Sequence, residues 1–132
     1  MKYVHKEKYW EEKIKSKISK NLKDLTSDIL EDAKARDIVY INIKKKSSYA
    51  DYLIIATCTS ARHINSVSEQ IVFKLKKNGF KSRKPEGKDA SDWKVIDAGD
   101  VIIHLFREET RLHYNLEKLW DINFDSVENE LA

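Results

Sequence analysis

Three glycines and one proline are spread over 132 residues, too few for a collagenous, low-complexity or linker-rich chain. Cys58 is the single cysteine, so no intramolecular disulfide can form, and a disulfide-stapled secreted scaffold is excluded. No apolar run approaches the roughly 18 residues of a membrane helix. The basic start of the chain is interrupted by Glu7, Glu11 and Glu12, whereas organelle transit peptides are poor in acids. With no hydrophobic leader either, these absences predict a protein of the reducing cytosol that is neither membrane-spanning nor exported. Chemistry is thinly signalled as well. There is no Gly-rich phosphate loop, no Asp-x-Asp, no Gly-x-Ser-x-Gly and no His-Glu-x-x-His.

What remains is 41% hydrophobic and 36% charged residues, enough for one domain with one core beneath a densely charged surface. The net charge of +3 conceals a polarity along the chain. The segment from Lys74 to Lys94 is strongly basic and suited to RNA phosphates, whereas the segment from Val95 to the end is strongly acidic and repelled by them. A partner presenting both RNA and basic protein fits such a molecule.

Residues 1–20 are Lys-rich with sparse apolar positions (Tyr9, Trp10, Ile14, Ile18) and predict a helical extension outside the core. Leu22, Leu25, Ile29 and Ala33 then form one stripe of a helix ending near Arg36. Ile38 to Ile43 is β-branched and of strand length. Tyr52 to Cys58 is almost continuously apolar, as expected of a central strand covered on both faces. Thr59 or Ser60 caps a helix whose core stripe is Ile64, Val67, Ile71 and Leu75, and Gly79 closes it. Phe80 to Lys84 reads as a short strand, Pro85-Glu86-Gly87 as a turn, and 88–92 as a polar loop. Trp93 to Asp97 and Val101 to Phe106 are strands joined by Asp97-Ala98-Gly99-Asp100, with Gly99 supplying positive φ. Glu108 and Glu109 open a last helix striped by Leu112, Leu116, Leu119 and Trp120. The order predicts a single α/β (α+β mixed) domain: a mixed sheet of about five strands flanked by helices, parallel across the central helix and antiparallel at the tight turn.

Nucleotidyl transfer is the enzyme class nearest to this order, but Asp97 and Asp100 stand at i, i+3 across a turn, whereas a two-metal site needs carboxylates converging on ions about 4 Å apart. Cys58 with His63 cannot complete a tetrahedral metal site. No catalytic residue, metal or cofactor is expected. His104 shares a face with Ile102 and Phe106 and reads as a half-buried structural histidine. Trp93, at the mouth of a strand after a polar loop, suits an interface anchor as well as a core position.

The stretches Ala50-Asp51-Tyr52, Ala56 to His63, Trp93 to His104 and Arg111 to Trp120 together resemble the ribosomal silencing factor (RsfS, or Iojap) family over about residues 22–122. The resemblance implies a fold shaped like nucleotidyltransferases, no enzymatic activity, and binding to the large ribosomal subunit through ribosomal protein fourteen, which blocks joining of the small subunit and represses translation. It gives a domain at 21–122, an N-terminal extension at 1–20 and a tail at 123–132. Ser60, Arg62, His63, Trp93, Asp97 and Asp100 are the expected partner-binding residues, with nearby ribosomal RNA as a further contact. His104, Arg111, Tyr114 and Glu117 are expected to hold the hairpin against the last helix, with Gly99 as the joint of the turn and Trp120 as a core position. Monomer and homodimer are equally compatible. Cys58 stands where the family commonly has glycine, and Lys94 and Ala98 make the hairpin's outer face more polar than usual. The competing reading is a small RNA-binding module using Lys74 to Lys94.

Overall fold

In a computed structural model of the chain, the described residues are 2–87 and 92–114, with side chains from residue 9 to residue 113 outside that gap. The elements are α1 (Lys2–Asp32), β1 (Arg36–Asn42), β2 (Tyr52–Cys58), α2 (Ala61–Lys77), β3 (Trp93–Asp97), β4 (Val101–Arg107) and α3 (Glu108–Tyr114). Among the described residues the sheet has four strands in the order β1-β2-β4-β3. β2 and β4 run parallel, and β1 and β3 pair antiparallel on the outside. The mixed α/β architecture and the parallel pairing across α2 agree with expectation.

The strand count does not. Phe80 to Lys84 is not a strand: Arg83 N–H donates to the Asp97 carbonyl and Glu86 exchanges two hydrogen bonds with Val95. Three residues on this side therefore oppose two on β3, a bulged register, and Pro85 has no N–H to give. The segment lies along β3 without building a ladder.

The Lys-rich start and the following amphipathic stripe form one helix, α1, which stops at Asp32 rather than near Arg36. Ala35 N–H reaches back to the Leu30 carbonyl, and Lys34 takes φ +64. This is a Schellman-type stop without the usual glycine. Gly79 serves the same role after α2, where its φ is +86 and Phe80 N–H bonds the Leu75 carbonyl.

β2 is buried at every position, because both faces of the sheet carry core. Tyr52, Ile54, Ala56 and Cys58 pack with Val101, Ile103, Leu105 and Ile96 against Leu22, Ile29 and Leu30 of α1 and Ile64, Val67, Ile71 and Leu75 of α2. On the opposite face Leu53 and Ile55 join Ile41, Ile43, Ala50 and Phe106, with Val39, Trp93 and Ile102 against them. Each fully buried aliphatic side chain contributes about 1.5–3 kcal/mol, so this two-sided strand is where the fold is held.

Two sequence expectations are corrected by burial. Leu112 is 75% exposed, so it is not a core position; its expected stripe partners lie outside the described residues. Lys94 and Ala98 are buried at 8% and 6% exposure. Both point to the helix-covered side with Ile96, so they do not make the outer face of the hairpin polar. Cys58 is accommodated at 1% exposure, and burial pushes its thiol up to about 11. It packs as a small apolar group.

Candidate functional site

The β3–β4 hairpin is shaped by its own turn residues. Gly99 adopts φ +85, its N–H donates to Asp97 Oδ1 at 2.9 Å, and Ala98 N–H donates to the Val101 carbonyl at 2.9 Å. The Asp100 carbonyl accepts from the N–H groups of Asp51 and Tyr52 at 2.8 and 3.0 Å, which ties the turn to the entrance of β2 and leaves the Asp100 side chain exposed. Asp97 Oδ2 lies 3.9 Å from Arg83 Nε with both side chains well exposed, a pair that water and salt screen.

Trp93, Val95 and Asp97 share the face of β3 turned away from α1 and α2, by strand alternation. The Trp93 indole stacks on buried Phe106 with centroids 4.9 Å apart, and its N–H donates to His104 Nδ1 at 2.9 Å. Burial lowers the His104 pKa to about 4. His104 is therefore neutral and carries its proton on Nε2, because Nδ1 must present a lone pair to the indole. Trp93 is thus fixed in orientation while remaining partly exposed.

At the other end of β2, Ser60 caps α2 by accepting His63 N–H at 3.0 Å. The His63 ring accepts Thr59 N–H at Nδ1 (3.0 Å) and donates from Nε2 to the Ala33 carbonyl at 2.8 Å. Both ring nitrogens are used in joining α1 to the β2–α2 corner, so His63 has no lone pair with which to activate Cys58. Arg62 points into solvent. Arg111 of α3 donates to Thr57 Oγ1 at 2.9 Å and to the Asp37 carbonyl, closing α3 over the ends of β1 and β2. Among the described residues no cluster of His, Cys, Asp and Glu could hold a metal ion.

The strand register separates the six expected contact residues into two groups. Trp93 pairs with Phe106, which pairs with Thr57, so Trp93 lies toward the end of the sheet that bears Ser60, Arg62 and His63. Asp97 pairs with Ile102, and Asp100 adjoins the Val101–Tyr52 pair at the opposite end. Trp93 and Asp97 are about 13 Å apart along one face of β3. Tyr114 closes α3, but its side chain, with Glu117 and Trp120, lies outside the described residues.

Some contributors were not singled out by sequence reasoning. Phe106 is the platform under Trp93, and the Asp37 and Ala33 carbonyls are backbone partners that no side-chain pattern announces. Tyr49 is 86% exposed and lines a groove with Lys81, Ser82, Arg83, Asp97 and Gly99 beside the hairpin turn. Its signal was available: like Trp93, it is an aromatic residue in a polar surrounding, here Ser47-Ser48-Tyr49.

Residues 16–131 match the family model described as ribosomal silencing factor during starvation. The ribosomal silencing factor RsfS of Zymomonas mobilis is 41% identical over 102 residues, covering 77% of each chain. A mouse protein named for mitochondrial assembly of the ribosomal large subunit is 38% identical over 112 residues, 83% of this chain and 48% of its own. A crystal structure of a Chromobacterium violaceum protein superposes with a TM-score of 0.75 at 31% identity, covering 79% of this chain and 87% of that one.

Proposed function

Given that the chain belongs to the ribosomal silencing factor family, we propose that it binds the large ribosomal subunit through ribosomal protein fourteen and, by occupying the face that receives the small subunit, represses translation. The action is steric and needs no nucleophile, metal or cofactor. The observation that carries the reading is the family match across residues 16–131, which includes every expected contact residue. The local chemistry suits it. A clamped indole offers apolar area at little entropic cost, and the acids of the hairpin complement a basic ribosomal protein. Ser60, Arg62 and His63 form a second contact beyond the Trp93 end of the sheet. The protein acts in the cytoplasm, as monomer or homodimer.

The competing RNA-binding module would use Lys74 to Lys94. Lys76, Lys77, Lys81, Arg83 and Lys84 are exposed, but Lys94 is buried, which shortens that patch. Co-sedimentation with separated ribosomal subunits discriminates. The wild type is expected with the large subunit, and Asp100→Lys, whose side chain is exposed, is expected to lose most of that binding while keeping its fold. Trp93→Ala should do the same. Unchanged subunit binding by both folded variants would refute the assigned surface.

A further inference from the structure

The first half of α1 departs from the body of the protein. Leu22 is 2% exposed, whereas Ile18, Ile14 and Trp10 along the same stripe are 46%, 55% and 56% exposed. Tyr9, at 59%, meets Trp10 edge to face. The family match begins at residue 16, so Tyr9, Trp10 and Lys13 lie outside it.

Lys13, Lys17 and Lys20 follow at i, i+4, i+7, which puts them on one face of the helix. Tyr9 and Trp10 lie at the head of that face, four and three residues before Lys13. In the sequence the same spacing extends back through Lys6 to Lys2. Lys13 Nζ stands 5.4 Å from the Trp10 centroid and 5.8 Å from that of Tyr9. All three lysines are exposed, and the ion pairs of Arg83 with Asp97 and of Arg107 with Asp92 lie elsewhere.

We propose that this Lys13–Lys17–Lys20 row, headed by Tyr9 and Trp10, is an RNA-binding face: the ammonium groups follow the phosphodiester backbone and the two rings stack on unpaired bases. Lysines seven residues apart on a helix span about 10 Å, enough to meet more than one phosphate of a strand. Aromatic rings beside a basic track are the arrangement that holds single-stranded segments. A second copy of the chain fits worse, since pairing this face with itself would set lysines against lysines. A lipid surface also fits worse, because Glu11, three residues before Ile14 and seven before Ile18, places a carboxylate on the apolar stripe that would have to enter the membrane.

The inference deepens the proposed ribosomal role by giving a subunit-bound protein a separate RNA contact. Its test uses the full chain and a short RNA hairpin with an unpaired loop, with affinity measured across a salt series. The triple variant Lys13→Gln/Lys17→Gln/Lys20→Gln should weaken binding and flatten the slope of log affinity against log salt by about 2 to 3. Tyr9→Ala/Trp10→Ala should weaken it about five-fold or more with little change in slope. Circular dichroism verifies that both variants keep their helix. Asp100→Lys should bind the hairpin as the wild type does, so that losing subunit binding and losing RNA binding are read separately. Unaltered RNA affinity and slope in both α1 variants overturns the proposal. So does binding of the wild type to anionic lipid vesicles but not to RNA, or its self-association through this face in sedimentation velocity.

Discussion

Acidification from about pH 7 to about pH 4 is expected to remove up to about 3 kcal/mol of stability through His104 alone. In the fold its ring is buried, accepts the Trp93 indole N–H at 2.9 Å, and has its pKa lowered to about 4; in the unfolded chain the value returns to about 6.5. Between those values the unfolded state binds a proton that the native state refuses. Stability from this group is therefore complete above about 6.5, falls by about 1.4 kcal/mol per pH unit as the pH drops toward 4, and is level below that. Asn at this position places an oxygen near the Nδ1 site, keeps an acceptor for the indole and does not titrate. The measurement is urea unfolding of the wild type and His104→Asn over this range. The wild-type curve should descend more steeply, and the difference between the two should change by up to about 3 kcal/mol. Trp93→Phe keeps an aromatic ring over Phe106 but removes the N–H donor, so it should raise the His104 midpoint and flatten the acid limb. Parallel curves for wild type and His104→Asn, or an NMR titration of the His104 ring centred near 6.5, would refute the reasoning.

Glycine substitutions should rank against the sequence-based emphasis on Gly99. A Cβ at Gly87 would stand 2.7 Å from the Trp93 carbonyl oxygen and 2.8 Å from Lys94 Cγ, at φ +132, while one at Gly99 meets nothing within 4 Å. Gly87→Ala is thus expected to cost about 2 kcal/mol or more and Gly99→Ala about 1 kcal/mol, by thermal or urea unfolding; equal costs would contradict this. Lys34 occupies the left-handed position after α1 at φ +64, so Lys34→Gly should raise stability by about 0.5–1 kcal/mol despite glycine's larger unfolded-state entropy. A loss of stability would show that the Lys34 side chain contributes more than its backbone strain costs.

Much of the fold was legible because local rules suffice for it. The Ser60 cap, the Gly79 stop, the apolar run from Tyr52 to Cys58 and the Asp97-Ala98-Gly99-Asp100 turn each follow from a few neighbouring residues. Phe80 to Lys84 contains one strand former, Phe80, and the bulged register it meets at β3 keeps it from building a ladder. Lys94 lies on the covered face because strand alternation places it there, whatever its charge suggests. The site was legible as residue types and not as an arrangement. Trp93 reads as an interface anchor or a core position and His104 as a structural histidine, but their hydrogen bond and shared Phe106 platform join positions eleven residues apart through strand pairing.

The sequence by itself determined most of the element types, the buried central strand, the hairpin turn and the family, since these depend on periodicity, turn chemistry and ordered motifs. Only the tertiary structure decided that Trp93 and the hairpin acids lie toward opposite ends of one sheet, and that His63 and Arg111 spend their polar groups on backbone carbonyls of distant elements. The reason is physical. Register and long-range hydrogen bonds are set by how helices and strands pack on the two faces of one sheet, and no short window of sequence contains both partners of such a contact.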